Sequence, residues 1–377
     1  AGNESVLEIT DIQNEASLKE QPLEIEIGDL GLQEDEYVLP LTIDAEGHVV
    51  LGGDTWKDEN GHTQISIDHI IPAPDQRRSL GKAMKLYFFK TYLKQNPNQL
   101  NWVEYKDDDS VVRHHDPAAV AAKVKKAKNI ILLVHGIIGD TEVIAQGLRL
   151  AKDAQGKSLD QKFDLVLTYD YENLHQPIPD TADDLKNQLQ AAGFGENDGK
   201  RLTMLVHSMG GLVSRSFIEQ QGGNRMVDHL VMCGTPNNGS PFGKIDKARK
   251  LFGIMTTLMA NYFPALLPVS GVVGFLLKRS EKITQTLQMM DPDSDFITSL
   301  NRSGDPGIPY TILAGELDKY EEPSDKLFTK LLDKAGKGAI FKALFGTNSH
   351  DIAVRVDSIL GVNGSRKPAP VTAKVPC

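Results

Sequence analysis

The stretch LTMLVHSMGGLVSRSF, residues 202–217, holds residue types suited to nucleophilic catalysis. An apolar run from Leu202 to Val206 leads to Ser208, and Gly210 and Gly211 precede a segment compatible with a helix. A strand that turns sharply into a helix presents a serine at the tip of a strained turn, with its hydroxyl exposed for attack. Strand and helix backbones nearly touch at such a turn, so small residues are wanted two positions before and two after the serine. Gly210 satisfies one side, whereas Val206 places a Cβ on the other. This reading makes Ser208 the nucleophile of an acyl-enzyme.

The elements that must position it follow from the surrounding pattern. NIILLVHG, FDLVLTYDY, RLTMLVHS, HLVMCGTP and IPYTILAG are apolar runs of strand length, with helical segments between the first four. Continuously apolar strands alternating with helices imply a mostly parallel sheet covered on both faces, an α/β fold. Asp116-Pro117 suits a helix start, with Asp at the N-cap and Pro at N1, and AAVAAKVKKAK continues it with its lysines toward the C-terminus. GKAMKLYFFKTYL predicts a helix and LNWVEY a strand.

Residues 1–72 predict a separate β-rich accessory domain, leaving 73–377 as the α/β domain. Lys19 is the only basic residue among the first forty, and LEIEI alternates as a half-buried strand does. Asn60-Gly61 is a hairpin signal. This acidic unit would brace the larger domain or contact a protein partner. From Leu251 to Leu277 there is no charge, a length that could span a bilayer, but Pro264 and Pro268 interrupt it. Two short apolar helices within a cap insertion at about 243–300 are expected there. Such a cap buries its surface internally, against an acyl chain, or on a membrane.

Hydrophobic residues make up 40% and charged residues 24% of the 377, as in soluble globular proteins. The net charge of -10 argues against a nucleic-acid partner. Two cysteines provide no disulfide framework, and Cys233 reads as a small core residue. With no apolar leader at the start of the sequence, a cytoplasmic location is the expectation. No glycine-rich phosphate loop follows a strand, and His114-His115-Asp116 has no further ligand cluster nearby in sequence, so neither cofactor nor metal is expected.

Three stretches, in order, resemble the bacterial lipases of the α/β-hydrolase family: LLVHGIIGD (132–140), LVHSMGG around Ser208, and CGTPNNGSPFG (233–243). The resemblance runs from about residue 130 to the end. It implies ester hydrolysis on a lipid or other acyl substrate beneath a helical cap. It also implies an oxyanion hole built from the backbone amides of Met209 and Ile137, with His135 orienting the loop that carries Ile137. His207 is expected to be structural and to point away from the site.

The acid and base stay open at this level. Asp318 ends TILAGELD after a strand, where many α/β-hydrolases place the acid. Asp351, in FGTNSHDIAVRVDSILG, resembles the acid of a lipase segment with the same Ser358 spacing. The base histidine is expected downstream of the acid, and no histidine follows His350. One expectation is a chain cut short of its histidine. A second is His350 as base with Asp318 as acid. A third is a catalytically incomplete module used for binding, or as a regulated effector domain of a larger polypeptide. Neighbours in an extended segment point to opposite faces, so His350 and Asp351 are poor partners for each other.

Overall fold

The computed structural model describes residues 5–12, 17–18, 20–27, 36–43, 49–51, 53–58, 62–67, 70, 82–92, 98–137, 141–171, 176–196, 198–243, 281–316, 351, 354–362 and 369–376. They fall into two compact units, one ending at Gln95 and the other beginning at Asn96.

The first unit contains strands β1 (Ser5–Ile12), β2 (Leu23–Ile27), β3 (Glu36–Ile43), β4 (Val49–Leu51), β5 (Asp54–Lys57), β6 (Thr63–Ile67) and β7 (Lys82–Tyr92). They form two antiparallel sheets, ordered β1-β7-β3-β4 and β2-β6-β5. Strict alternation along β6 turns Ile65 and Ile67 into a core shared with Ile70 and Met84. The helix expected over residues 81–93 is instead β7. That segment pairs on both sides, with β1 and with β3, and its Tyr87, Phe88, Phe89 and Tyr92 suit a strand. Two long ladders outweigh the modest helical propensity of its lysines and alanine.

The second unit is the expected α/β layer structure. Its elements are β8 (Gln99–Tyr105), β9 (Val111–His114), α1 (Pro117–Lys126), β10 (Asn129–Val134), α2 (Thr141–Leu150), β11 (Leu165–Asp170), α3 (Ile178–Ala191), β12 (Arg201–His207), α4 (Met209–Gln220), β13 (His229–Cys233), α5 (Glu281–Met289), α6 (Asp295–Asn301), β14 (Tyr310–Glu316), α7 (Val356–Ile359) and β15 (Val371–Pro376). Asp116 caps α1 by accepting from Ala119 N–H at 3.0 Å, while His114 stacks on Trp102 and pairs with Glu104.

One eight-stranded sheet, ordered β15-β14-β13-β12-β10-β11-β8-β9, runs through this unit. The six strands from β10 to β15 are mutually parallel, and the β8–β9 hairpin is joined by an antiparallel β8–β11 pairing. Ile130 to Val134 are almost completely buried because helices cover both faces. Ile131 and Leu133 pack with Ala145 and Leu148 of α2 on one side. Helices α3 and α4 pack on each other, and the right-handed rule for parallel crossovers assigns them to the other side.

From β10 the chain first moves to β11 on one flank, then returns to β12 on the opposite flank. The order therefore reverses between β10 and β12, the place where open α/β sheets bind ligands beyond the carboxyl ends of their strands. Gly136 follows one of these strands and Ser208 the other. A mostly parallel sheet, covered on both faces and bearing a serine turn at this point, is the α/β-hydrolase fold.

Leu132, at the centre of the sheet, is fully buried. Leu132→Ala is expected to lower unfolding free energy by about 2–5 kcal/mol, read from urea denaturation, while the exposed Lys125→Ala stays within about 0.5 kcal/mol of the native chain.

Candidate active site

Ser208 adopts φ 51° and ψ -126°, a conformation costly for any residue with a side chain. About 1–3 kcal/mol of strain is stored in such a residue, and the surroundings must over-determine it. Here the Ser208 N–H donates to Cys233 C=O at 2.9 Å, tying the turn to the next strand. Gly211 N–H donates to Ser208 C=O at 3.0 Å as α4 begins. Val206, unusual two residues before such a serine, is buried within the sheet between Val134 and Met232. Its Cβ is therefore absorbed by strand packing.

Three glycines make the approach possible. A Cβ on Gly136 would come within 2.7 Å of Ser208 Cβ, so the loop after β10 lies directly against Ser208. A Cβ on Gly210 would collide with the carbonyls of Val134 and His135, and one on Gly211 with the Thr235 side chain. Helix α4 can sit this low on the sheet only because both positions lack side chains.

Met209 opens α4, where first-turn N–H groups have no intrahelical acceptor and the helix dipole favours negative charge. Ile137 directly follows Gly136, and its side chain is buried. His135 is buried and held on three sides. Tyr171 N–H donates to its Nε2 at 3.3 Å, so the ring proton sits on Nδ1 and is donated to Gly136 C=O at 2.7 Å. Tyr171 OH donates to His135 C=O at 2.9 Å, and the two rings stack 4.4 Å apart. These bonds shape the loop and leave His135 no free nitrogen for acid–base work.

His207 has open surface, and its Nδ1 lies beside Gly136. Desolvation by the surrounding protein, and secondarily His135, hold its imidazole below the usual histidine pKa. Cys233 is also next to the turn, but burial pushes its thiol up to about 11, which keeps it protonated and unreactive at neutral pH.

Asp351 is part-buried, with its Oδ1 accepting from Val354 N–H at 2.7 Å. Its Oδ2 faces Gly234, where an added Cβ would approach within 2.9 Å. Gly234 follows the residue whose carbonyl holds Ser208, so the Asp351 carboxylate stands at the same edge of the sheet as Ser208. His350, Asp318 and the uncharged stretch 251–277 lie outside the described residues. Asp170 instead ties elements together, accepting from Asn101, Arg113 and Thr141.

A buried polar hub connects these parts, and sequence reading missed it. Arg215 and Glu219 on α4 form an ion pair at 2.8 Å with both side chains fully enclosed. Arg215 also donates to Asn237 Oδ1 at 3.1 Å and Asn301 Oδ1 at 3.0 Å, while Tyr310 OH donates to Glu219 at 2.9 Å. Asn237 Nδ2 donates to Ile359 C=O at 2.6 Å, and Ser358 Oγ donates to Gly239 C=O at 2.6 Å. Helix α4, the loop after β13 and the segment following Asp351 are thus one hydrogen-bonded body. A charged pair at i,i+4 on the apolar side of a helix was the signal that could have found it. Beside this body, Asn238–Pro241, Asp291–Asp293, Arg355, Asp357 and Ser358 border an acid-rich cleft of about 380 Å³ that Ser208 does not line.

Gly210→Ala is expected to lower the thermal unfolding midpoint, because the clash is with backbone that cannot swing aside; calorimetry reads it. Arg215→Met should cost about 3–5 kcal/mol in urea denaturation by stranding a buried Glu219 carboxylate. The double variant Arg215→Met with Glu219→Leu should recover part of that loss.

Residues 95–375 match the family described as a domain of unknown function, DUF7379. No curated protein matches the chain in sequence. Among solved structures, the chain is similar to EstA from Clostridium botulinum, with TM-score 0.43, 13% identity, and coverage of 66% of this chain and 81% of that one. It is similar to the mature Bacillus licheniformis lipase BlEst2, with TM-score 0.40, 17% identity, and coverage of 66% and 84%. It is also similar to the phospholipase PlaB from Legionella pneumophila, with TM-score 0.37, 18% identity, and coverage of 63% and 46%. By the match over 95–375, the chain belongs to the DUF7379 family.

Proposed function

We propose that the 95–375 region is a serine hydrolase that cleaves an ester, of a lipid or another acyl substrate, through an acyl-enzyme on Ser208. The observation that carries this reading is the strained Ser208 backbone, pinned between Gly136 and the start of α4 at the reversal point of the sheet. Strain kept at such a position by several independent contacts points to function.

In this reading Ser208 Oγ attacks the ester carbonyl carbon and its proton passes to a histidine. The amides of Met209 and Ile137 donate to the resulting oxyanion. Collapse of the tetrahedral intermediate expels the alcohol, which takes the proton from that histidine. Water then attacks the acyl-enzyme with the same histidine as base, releasing the carboxylic acid and restoring Ser208. Two acid–base assignments compete: a histidine oriented by Asp351, or His350 oriented by Asp318. The tethered Asp351 carboxylate beside Gly234 favours the first. The reading extends to a lipid-surface contact through 251–277 and a protein contact through the acidic N-terminal region.

A second reading is a hydrolase fold used as a binding or effector module without turnover. Labelling with a fluorophosphonate separates the two. The native chain should label and Ser208→Ala should not. Loss of labelling in His350→Ala and Asp318→Asn supports the pairing of those residues; loss in Asp351→Asn alone supports Asp351. A native chain that neither labels nor hydrolyses short-chain or long-chain nitrophenyl esters would overturn turnover by these 377 residues, as expected of a binding module or of a chain cut short of its histidine.

A further inference from the structure

The outward face of the β2-β6-β5 sheet carries a second cluster of reactive side chains. Alternation along β6 buries Thr63, Ile65 and Ile67 and turns Gln64 outward. Glu26 on β2 is the register partner of Gln64 and shares that face. Asp58 and His62 extend the β5–β6 ladder: Asp58 N–H donates to His62 C=O at 2.9 Å, and His62 N–H donates to Asp58 Oδ1 at 2.9 Å. This arrangement brings His62 Nδ1 to 3.2 Å from Glu26 Oε1 and 3.8 Å from Asp58 Oδ2. One ligating atom from each of the three residues lies within 4.8 Å of the others.

Those separations suit donors around one small cation. With metal–ligand bonds of about 2.0–2.2 Å, two donors of a tetrahedral site stand roughly 3.3–3.6 Å apart. Modest closure of the Glu26 and Asp58 side chains completes three corners. We propose that Glu26, Asp58 and His62 bind one divalent transition-metal ion of the Zn²⁺ type, with the fourth position open to water. One imidazole with two carboxylates suits zinc, whereas calcium and magnesium take oxygen donors alone. The two carboxylates balance the charge of the ion. Gln64 Nε2 donates to Glu26 Oε2 at 3.2 Å and to Asp58 Oδ2 at 3.1 Å, which orients both carboxylates toward the imidazole. The bound ion would tie β2 to the β5–β6 pair and so fasten a small sheet.

The same positions also accommodate a protonated His62 paired with the carboxylates and no metal, and the two readings separate in one experiment. Zinc is titrated into the full 377-residue chain in competition with a chromophoric chelator, beside Glu26→Gln and His62→Ala, with circular dichroism confirming the fold. The expected result is one zinc per native chain, at least tenfold weaker binding in each variant, and no displacement by equal calcium. Zinc should also raise the thermal midpoint of the native chain and not that of the variants. A native chain that takes up no zinc at micromolar concentration, or variants that bind it as tightly as the native chain, would overturn the proposal. Glu26→Gln is nearly isosteric and partly exposed, so it remains informative if His62→Ala loosens the turn.

Discussion

The close contact between helix α4 and the carboxyl ends of β10 and β12 is the constraint on which the rest depends. Ser208 has a left-handed φ, and such a backbone persists only where neighbouring groups leave no relaxed alternative. Gly136, Gly210 and Gly211 supply the clearance, and Cys233 C=O supplies the anchoring hydrogen bond. Removing any clearance moves the helix away from the sheet. The serine would then leave the carboxyl edge of the sheet, and the α4 amides would move with it.

A charged hub holds that helix from behind. Burying a guanidinium and a carboxylate is expensive, and the pair is offset only when its remaining hydrogen-bonding capacity is met. Arg215 and Glu219 meet it with Asn237, Asn301 and Tyr310, drawn from the loop after β13, from α6 and from β14. An apolar replacement would pack as well or better, but it would lose directionality. The polar arrangement fixes the loop and the segment after Asp351 in one register against α4. His135 performs the corresponding task on the other flank, where its two ring nitrogens hold the Gly136 loop and the start of the segment after β11.

The sequence by itself determined what is local or periodic. Unbroken apolar runs marked β10 to β14, since a strand covered on both faces tolerates little else, and Asp116-Pro117 marked the start of α1. The Ser208 turn with Gly210 and Gly211 was legible because sterics alone demand small residues there. Tertiary structure decided what depends on partners distant in the chain. Residues 82–92 became a strand because ladders with β1 and β3 were available on both sides, which no window of local propensity registers. Val206 proved harmless because Val134 and Met232 flank it. Asp351 gained its place from Gly234, Arg215 its partners from residues 22 and 86 positions away, and His62 its carboxylates from its own turn and from β2. Each of these is a meeting of side chains across elements, and chain spacing carries no measure of it until the sheets have formed.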